Sequence, residues 1–170
     1  MVSRLLFSVL SVLVLTGCVR QTVLTNSFRQ EYKLTKSTLE NVEYTLTNSI
    51  VLYRANDPDA KVSKDGVLVV SKNQEVIRIP EGSKGKAVFV GVDKIGVQFD
   101  DTCDCFLFFG SRNAQGAYEL LAEEWENGHG KVTYNNKTYF ASPRSGKAAI
   151  ALSVYENKSR SQQRTVSGVE

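Results

Sequence analysis

The sequence has few of the residues that build catalytic or metal centres. Among its 170 residues there are one histidine, three cysteines and one tryptophan. Acid–base triads need a histidine beside a nucleophile, and zinc centres need three or four converging ligands. No nucleophile elbow, P-loop, dinucleotide fingerprint or zinc-protease helix is present in the sequence. The sequence therefore predicts a non-catalytic protein that carries no cofactor.

An excess of charge of one sign is also missing. The formal net charge is +3, and it becomes +2 without the first seventeen residues because Arg4 is their only charged residue. So small a charge gives no reason to expect a nucleic-acid partner. Hydrophobic residues make up 42% and charged residues 23% of the chain. These values are ordinary for a globular protein, and the length suits one domain.

Long hydrophobic runs are absent. The longest apolar stretch, residues 5–15, is about half the roughly 20 residues that a membrane-spanning helix needs. It follows Arg4 and ends in Leu15-Thr16-Gly17-Cys18, which is the pattern of a secretory signal peptide. These four residues resemble the lipobox of bacterial lipoprotein precursors, and the resemblance covers the leader alone. A plain signal peptide with an unrelated cysteine is the alternative.

The lipobox resemblance implies a bacterial envelope protein anchored by lipid. Cleavage before Cys18 would leave its thiol joined to diacylglycerol and its amine acylated, for example with palmitate, and two or three chains anchor a protein stably. Val19 follows Cys18, where an aspartate would favour the inner membrane, so we expect the outer membrane and a periplasmic location. We expect a signal peptide at 1–17, a lipidated tether at 18–27, one domain at 28–155 and a polar, disordered tail at 156–170.

The remaining chain predicts a mainly β fold. Eight or nine short apolar or alternating runs at roughly ten-residue spacing are typical of a small sandwich or an SH3-like barrel. Residues 85–109 are similar in rhythm to an SH3-like barrel. Within them Ile95, Val97 and Phe99 alternate and should face inward, and the apolar run 105–109 should be a strand buried on both faces.

Three local patterns predict two hairpin turns and one helix. Asn48-Ser49 and Asn135-Asn136 each separate two apolar or alternating runs, so both predict hairpin turns. Residues 117–127 should form one short amphipathic helix. Its apolar side chains recur at helical spacing, with glutamates between them and a glycine just past the end; they are Tyr118, Leu121, Ala122 and Trp125.

Cys103-Asp104-Cys105 is the most unusual motif of the mature chain. In an extended strand, residues two apart have Cα atoms about 6.5–7 Å apart, so a disulfide between Cys103 and Cys105 requires a bend at Asp104. A small structural disulfide is the leading interpretation, free thiols come next, and redox or metal-handling roles follow.

Two other candidate sites, one histidine and a group of three aspartates, are expected to have ordinary structural roles. His129 with Cys103 and Cys105 could supply three metal ligands, but their spacing matches no known motif, so a loop histidine is expected. Three carboxylates lack the order of a calcium-binding loop and predict a solvated turn; they are Asp100, Asp101 and Asp104.

The function expected from these observations is binding. We expect a non-catalytic lipoprotein that binds an envelope protein as an accessory or assembly subunit, with exposed aromatics as anchors; the candidates are Tyr53, Phe106 and Tyr155. Basic residues of the tail would add contacts with anionic lipid headgroups; these are Lys158, Arg160 and Arg164. The alternatives are a module that binds the cell wall, including peptidoglycan, or a small ligand, and a thiol-disulfide or metal-handling protein centred on Cys103 and Cys105.

Overall fold

The computed structural model describes residues 19–55, 59–62, 68–71, 74–112 and 116–155. Helix α1 spans Asn26–Glu31, helix α2 spans Lys36–Asn41, and a 3₁₀ helix spans Pro143–Lys147. The remaining elements of the described part are strands: β1 Val19–Val23, β2 Glu43–Leu46, β3 Ile50–Ala55, β4 Asp59–Val62, β5 Leu68–Ser71, β6 Gln74–Ile79, β7 Lys84–Val90, β8 Lys94–Gln98, β9 Leu107–Gly110, β10 Glu119–Leu120, β11 Glu124–Glu126, β12 His129–Tyr134, β13 Lys137–Ala141 and β14 Ile150–Tyr155.

The strands form two main antiparallel sheets. A seven-stranded sheet has the order β1-β14-β2-β7-β8-β9-β10, and a five-stranded sheet has the order β11-β12-β13-β3-β6. β4 and β5 pair as a separate ribbon. The prediction of a mainly β fold is confirmed, and within the described residues the architecture is that of a small sandwich, with no closed barrel.

The buried core collects side chains from both sheets. Tyr44 and Phe109 come from the seven-stranded sheet and Tyr139 from the five-stranded one, and each is at most 1% exposed. The Tyr44 hydroxyl donates a 2.7 Å hydrogen bond to the Leu39 carbonyl, which attaches α2 to the sheet. Burial raises the pKa of Tyr44 far above its usual value.

The helix predicted over 117–127 is wrong. That segment forms β10 and β11, and Glu119 and Leu120 pair with Gly110 and Phe109 of β9. Tyr118 and Leu120 are fully buried on either side of Glu119, which is the two-residue period of a strand. Pairing with the neighbouring strands β9 and β12 therefore outweighed a helical spacing that was present by coincidence.

The folded domain begins earlier than the predicted boundary at Phe28. Residues 19–23, assigned to the tether, form edge strand β1 and pair with β14, from Val19 with Tyr155 to Val23 with Ala151. Leu24 is fully buried and donates its backbone N–H to Ile150. This stretch is therefore part of the sandwich rather than a free linker.

Two other strand predictions need correction, while the hairpin at Asn135-Asn136 is confirmed. Both asparagines adopt positive φ, at 49° and 57°, and β12 pairs with β13 across them. The turn at Asn48-Ser49 does not make a hairpin, because β2 and β3 belong to different sheets.

Ile95 and Val97 are buried as predicted, and Phe99, partly buried, packs against the core. The run 105–109 is buried on one face only, since residues 106 and 108 are partly exposed.

Candidate functional site

A glycine on the outer face of the seven-stranded sheet creates the candidate site. Gly96 of β8 is paired with Phe89 on β7 and with Phe108 on β9, so the three residues form a row across three strands. Its neighbours Ile95 and Val97 point into the core, and the row therefore faces outward. A Cβ at Gly96 would lie 3.0 Å from the Phe106 ring and 3.2 Å from the Phe89 Cβ. The missing side chain makes room for the rings.

Three phenylalanines, Phe89, Phe106 and Phe108, form what we call the Phe cluster. The Phe106 and Phe108 rings are edge-to-face with centroids 5.2 Å apart, and the Phe89 and Phe108 rings are edge-to-face at 5.8 Å. This is the preferred geometry of aromatic pairs. Lys94 Nζ lies 4.4 Å from the Phe108 ring centroid, a cation–π distance. A charged group thus borders an apolar surface.

The β7–β8 hairpin extends the apolar surface beyond the rings. The pairing register shifts between Ala87 and Phe89. The bulge lets consecutive residues Val88 and Phe89 both be exposed, at 50% and 43%. Val92 in the turn is 90% exposed. Exposed apolar groups that adjoin one another on a surface are typical of an interaction site.

A cleft of about 370 Å³ adjoins the Phe cluster, between β9 and the β12–β13 turn. Phe106, Phe108 and Leu121 contribute its apolar wall, and its polar rim includes Glu123 and Asn136. The Thr133 hydroxyl and the Lys131 ammonium both bind the Glu123 carboxylate, at 3.0 and 3.3 Å. These contacts, that of Thr133 first, lower the pKa of Glu123 and favour its ionised form.

The cysteine pair fixes the segment that leads into Phe106. The sulfur atoms of Cys103 and Cys105 are bonded, and their Cα atoms are 5.1 Å apart. That distance is shorter than in an extended strand, so the chain bends at Asp104 as a disulfide requires. The Gln98 side-chain amide donates hydrogen bonds to the carbonyls of Asp100 and Cys103, which hold the same loop. Cys105 is buried and also lines the cleft.

The candidate metal ligands are only partly brought together. Donor atoms of Asp100, Cys103 and Cys105 lie within 4.8 Å of one another, but sulfurs bonded to each other are not the thiolates that metals bind. Asp100 accepts hydrogen bonds from the Thr102 hydroxyl and backbone, and these bonds lower its pKa. His129 is not part of this group, because it is bound to Tyr53 on the five-stranded sheet.

The predicted anchor residues are separated by the fold. Phe106 belongs to the Phe cluster, Tyr53 lies on the five-stranded sheet beside Phe140, and Tyr155 ends β14 at 59% exposure. Phe89 and Phe108 are site residues that no local motif singled out, although a glycine within an alternating strand was a signal of close packing above it. The positions of the lipidation site and the basic tail residues lie outside the described residues; they are Cys18, Lys158, Arg160 and Arg164. Asp101 and Asp104 are exposed on the cysteine loop.

No protein-family model, curated protein or solved structure matches this chain. Within the described residues, neither α-helix has the length and apolar character needed to cross a bilayer.

Proposed function

We propose that this protein is a non-catalytic, lipid-anchored envelope protein that binds a protein partner through the Phe cluster. The supporting observation is an outward group of three phenylalanine rings with charged and amide side chains at its edge. An apolar centre with a polar rim is the common layout of protein interfaces, and aromatic residues are prominent in their energetic centres. Phenyl rings bind by area and shape, so the proposal gives this surface no catalytic role.

The rigidity of the surface also supports a binding role. The disulfide, the Gln98 hydrogen bonds and the ring contacts over Gly96 all restrain the residues beside or within the Phe cluster. A surface that is ordered before binding loses less conformational entropy when a partner arrives. Lys94 and the anionic Glu123 lie on the border of the surface and the cleft, so charge pairing would contribute specificity and orientation.

The proposed anchor would hold this surface close to the membrane. The lipobox resemblance places the lipid on Cys18, and β1 starts at the next residue, Val19. A partner of this domain would therefore be a membrane-bound envelope protein or one that works at the membrane surface. Metabolic labelling with palmitate tests the anchor: Cys18→Ser should abolish incorporation, and labelling that persists in this variant would contradict it.

Site-specific photocrosslinking in the native envelope tests the partner. A crosslinking residue at Val92, next to the Phe cluster, should give one stoichiometric protein adduct, which mass spectrometry then identifies. The same probe at Thr138, exposed on the other sheet, is the matched control and should not give that adduct. Phe89→Ala should weaken the Val92 adduct strongly. Equal adducts from both positions, or an adduct unchanged in Phe89→Ala, would overturn the assignment of the surface.

A further inference from the structure

The five-stranded sheet carries a second organised surface that the proposed function does not use. The pairing registers place Glu124, Lys131, Phe140, Tyr53 and Val76 next to one another in a row across all five strands. The residues beside Phe140 in sequence are buried, as is Leu52 beside Tyr53. Since side chains alternate along a strand, the row faces away from the core.

The centre of this row is apolar and aromatic. The Tyr53 and Phe140 rings stack against each other, with centroids 6.1 Å apart and planes inclined by 30°. Phe140 is 43% exposed and Val76, next to Tyr53, is 50% exposed. The outer face of an antiparallel sheet is normally polar, and a row of exposed rings on it is typical of a binding surface.

Hydrogen-bonding groups lie along one side of the two rings. His129 meets the Tyr53 ring edge-on at 5.6 Å, and its Nδ1 shares a hydrogen bond with the Tyr53 hydroxyl. That bond orients the imidazole, while its Nε2 makes no hydrogen bond to another residue in the described part of the chain. Together with Glu124, Glu126 and Asn127, these residues line a groove of about 300 Å³.

The charge of the groove restricts the ligands that suit it. Two carboxylates, Glu124 and Glu126, line it, and the positive charge of Lys131 is paired with Glu123 at 3.3 Å. Phosphate and other anions are therefore disfavoured. Strand addition by a peptide is also excluded at the aromatic centre, because β13 and β3 each have hydrogen-bonded neighbours on both sides. A ligand there must bind to side chains.

We propose that this groove binds the pyranose rings of a glycan. A pyranose has an apolar face of C–H groups that stacks on an aromatic ring, and an equatorial rim of hydroxyls that donate to carboxylates and bond to amides and imidazole. Phe140 and Tyr53 supply the stacking surface, and the polar groups at its side supply the hydrogen bonds; these are Glu124, Glu126, Asn127 and His129. The proposal goes beyond the proposed function and is independent of it, because the Phe cluster lies on the other sheet.

Calorimetric titration of the mature, full-length protein in detergent tests the site. The probes are the tetramer of N-acetylglucosamine and the tetramer of glucose, both β-linked and uncharged. Phe140→Leu keeps an apolar side chain but removes the ring, and it should raise Kd by about fivefold, since a lost ring contact of order 1 kcal/mol has that effect. Phe140→Trp should retain binding. Phe89→Leu, in the Phe cluster, is the matched control and should leave Kd unchanged.

Co-sedimentation with purified peptidoglycan separates the two sources of such a glycan. If the protein binds the N-acetylglucosamine tetramer and peptidoglycan, and Phe140→Leu weakens both interactions, the ligand is the cell wall. If the protein binds the tetramers but not peptidoglycan, the ligand is another glycan. Either outcome supports a glycan site. Absence of binding to all three probes, unchanged binding in Phe140→Leu, or binding only to a basic peptide would overturn it. Glu126→Gln at the exposed hairpin tip gives a second test, because it should weaken binding without affecting the fold. None of these results bears on the proposed function, which the effect of Phe89→Ala on the Val92 crosslink tests separately.

Discussion

Arg29 Nη1 donates a 2.8 Å hydrogen bond to the carbonyl oxygen of Val92, which joins helix α1 to the tip of the β7–β8 hairpin. The same guanidinium also bonds to the Gly91 carbonyl and to the Tyr118 hydroxyl. One side chain from an early helix therefore supports the hairpin that borders the Phe cluster.

Arg29→Gln should destabilise the protein by roughly 1.5–3 kcal/mol, because hydrogen bonds to a charged group are lost together and partly buried acceptors remain. Urea denaturation measures the change. Arg20→Gln, on an exposed position of edge strand β1, is the control and should change stability little. If Arg29→Gln lowers the free energy of unfolding by no more than the control does, the three contacts do not stabilise the fold.

Ser145→Ala should destabilise the protein by about 1–3 kcal/mol. Ser145 is fully buried, and its hydroxyl accepts a 2.9 Å hydrogen bond from the backbone N–H of Val51. Removing the hydroxyl leaves that N–H without its partner. Ser153→Ala, exposed on β14, is the matched control. Thermal unfolding of the two variants compares them, and equal melting temperatures would contradict the predicted role of Ser145.

Two glycine substitutions should separate stability from binding. Gly85→Ala places a Cβ 2.6 Å from the Val97 side chain and 2.8 Å from the Gln98 backbone oxygen, so it should destabilise the fold strongly. In Gly96→Ala the three atoms nearest to the added Cβ all belong to phenylalanine side chains, at 3.0–3.3 Å. This substitution should change the free energy of unfolding by less than about 1 kcal/mol while reducing the crosslink at Val92. An unchanged crosslink in Gly96→Ala would show that ring placement does not affect partner binding.

The Arg54–Glu75 pair should make stability depend on pH in the acid range. These residues are opposite each other on β3 and β6, and Arg54 Nη2 lies 2.8 Å from Glu75 Oε2. The bond from Arg54, followed by that from the Tyr139 hydroxyl, lowers the pKa of Glu75 from its usual value in the folded protein. A lowered folded pKa stabilises the protein above the unfolded pKa, and the stabilisation is lost as pH falls through the folded value.

Glu75→Gln should therefore be less stable than the natural protein at neutral pH, and the difference should shrink below about pH 4. Urea midpoints across a pH series measure it, with Glu81→Gln at an exposed position as control. A difference that is constant across the series would show that the ionised carboxylate is not the stabilising form.

Cys103 and Cys105 should resist alkylation of the mature protein unless a reductant is added, because the two sulfurs are bonded. Mass spectrometry after alkylation with and without reductant checks this prediction. Labelling of both residues without reductant would instead support free thiols and return the metal-handling alternative to consideration.

Local signals predicted some elements well and others not at all. The β12–β13 hairpin was predictable because Asn135 and Asn136 tolerate the positive φ that its turn requires, a property of two adjacent residues. The residues around Phe28 fit either a strand or a single helical turn, and α2 was not predicted, although Thr25 and Thr35 each cap the following helix through a side-chain oxygen. Each helix is only six residues long, too short for a clear helical period.

The candidate surfaces depended on strand pairing. Phe106 was recognised as an exposed aromatic, but Phe89 and Phe108 became its neighbours only through the register of β7, β8 and β9. Tyr53 was also recognised, but its neighbours Phe140 and His129 lie 87 and 76 residues further along the chain. No local pattern specifies such contacts, because pairing depends on which distant strands bury their apolar faces together.

The amino-acid sequence by itself determined the β character of the domain and the hairpin turn at Asn135-Asn136, since alternation and backbone preference are local properties. It also carries the segment ending at Cys18 that resembles a lipobox, on which the proposed lipid anchor depends. The tertiary structure decided that residues 19–23 are a strand, that 117–127 is not a helix, and that β2 and β3 separate into different sheets. Each of these outcomes rests on hydrogen bonds and burial shared between separate segments of the chain, whose free energy exceeds the preferences of either segment alone.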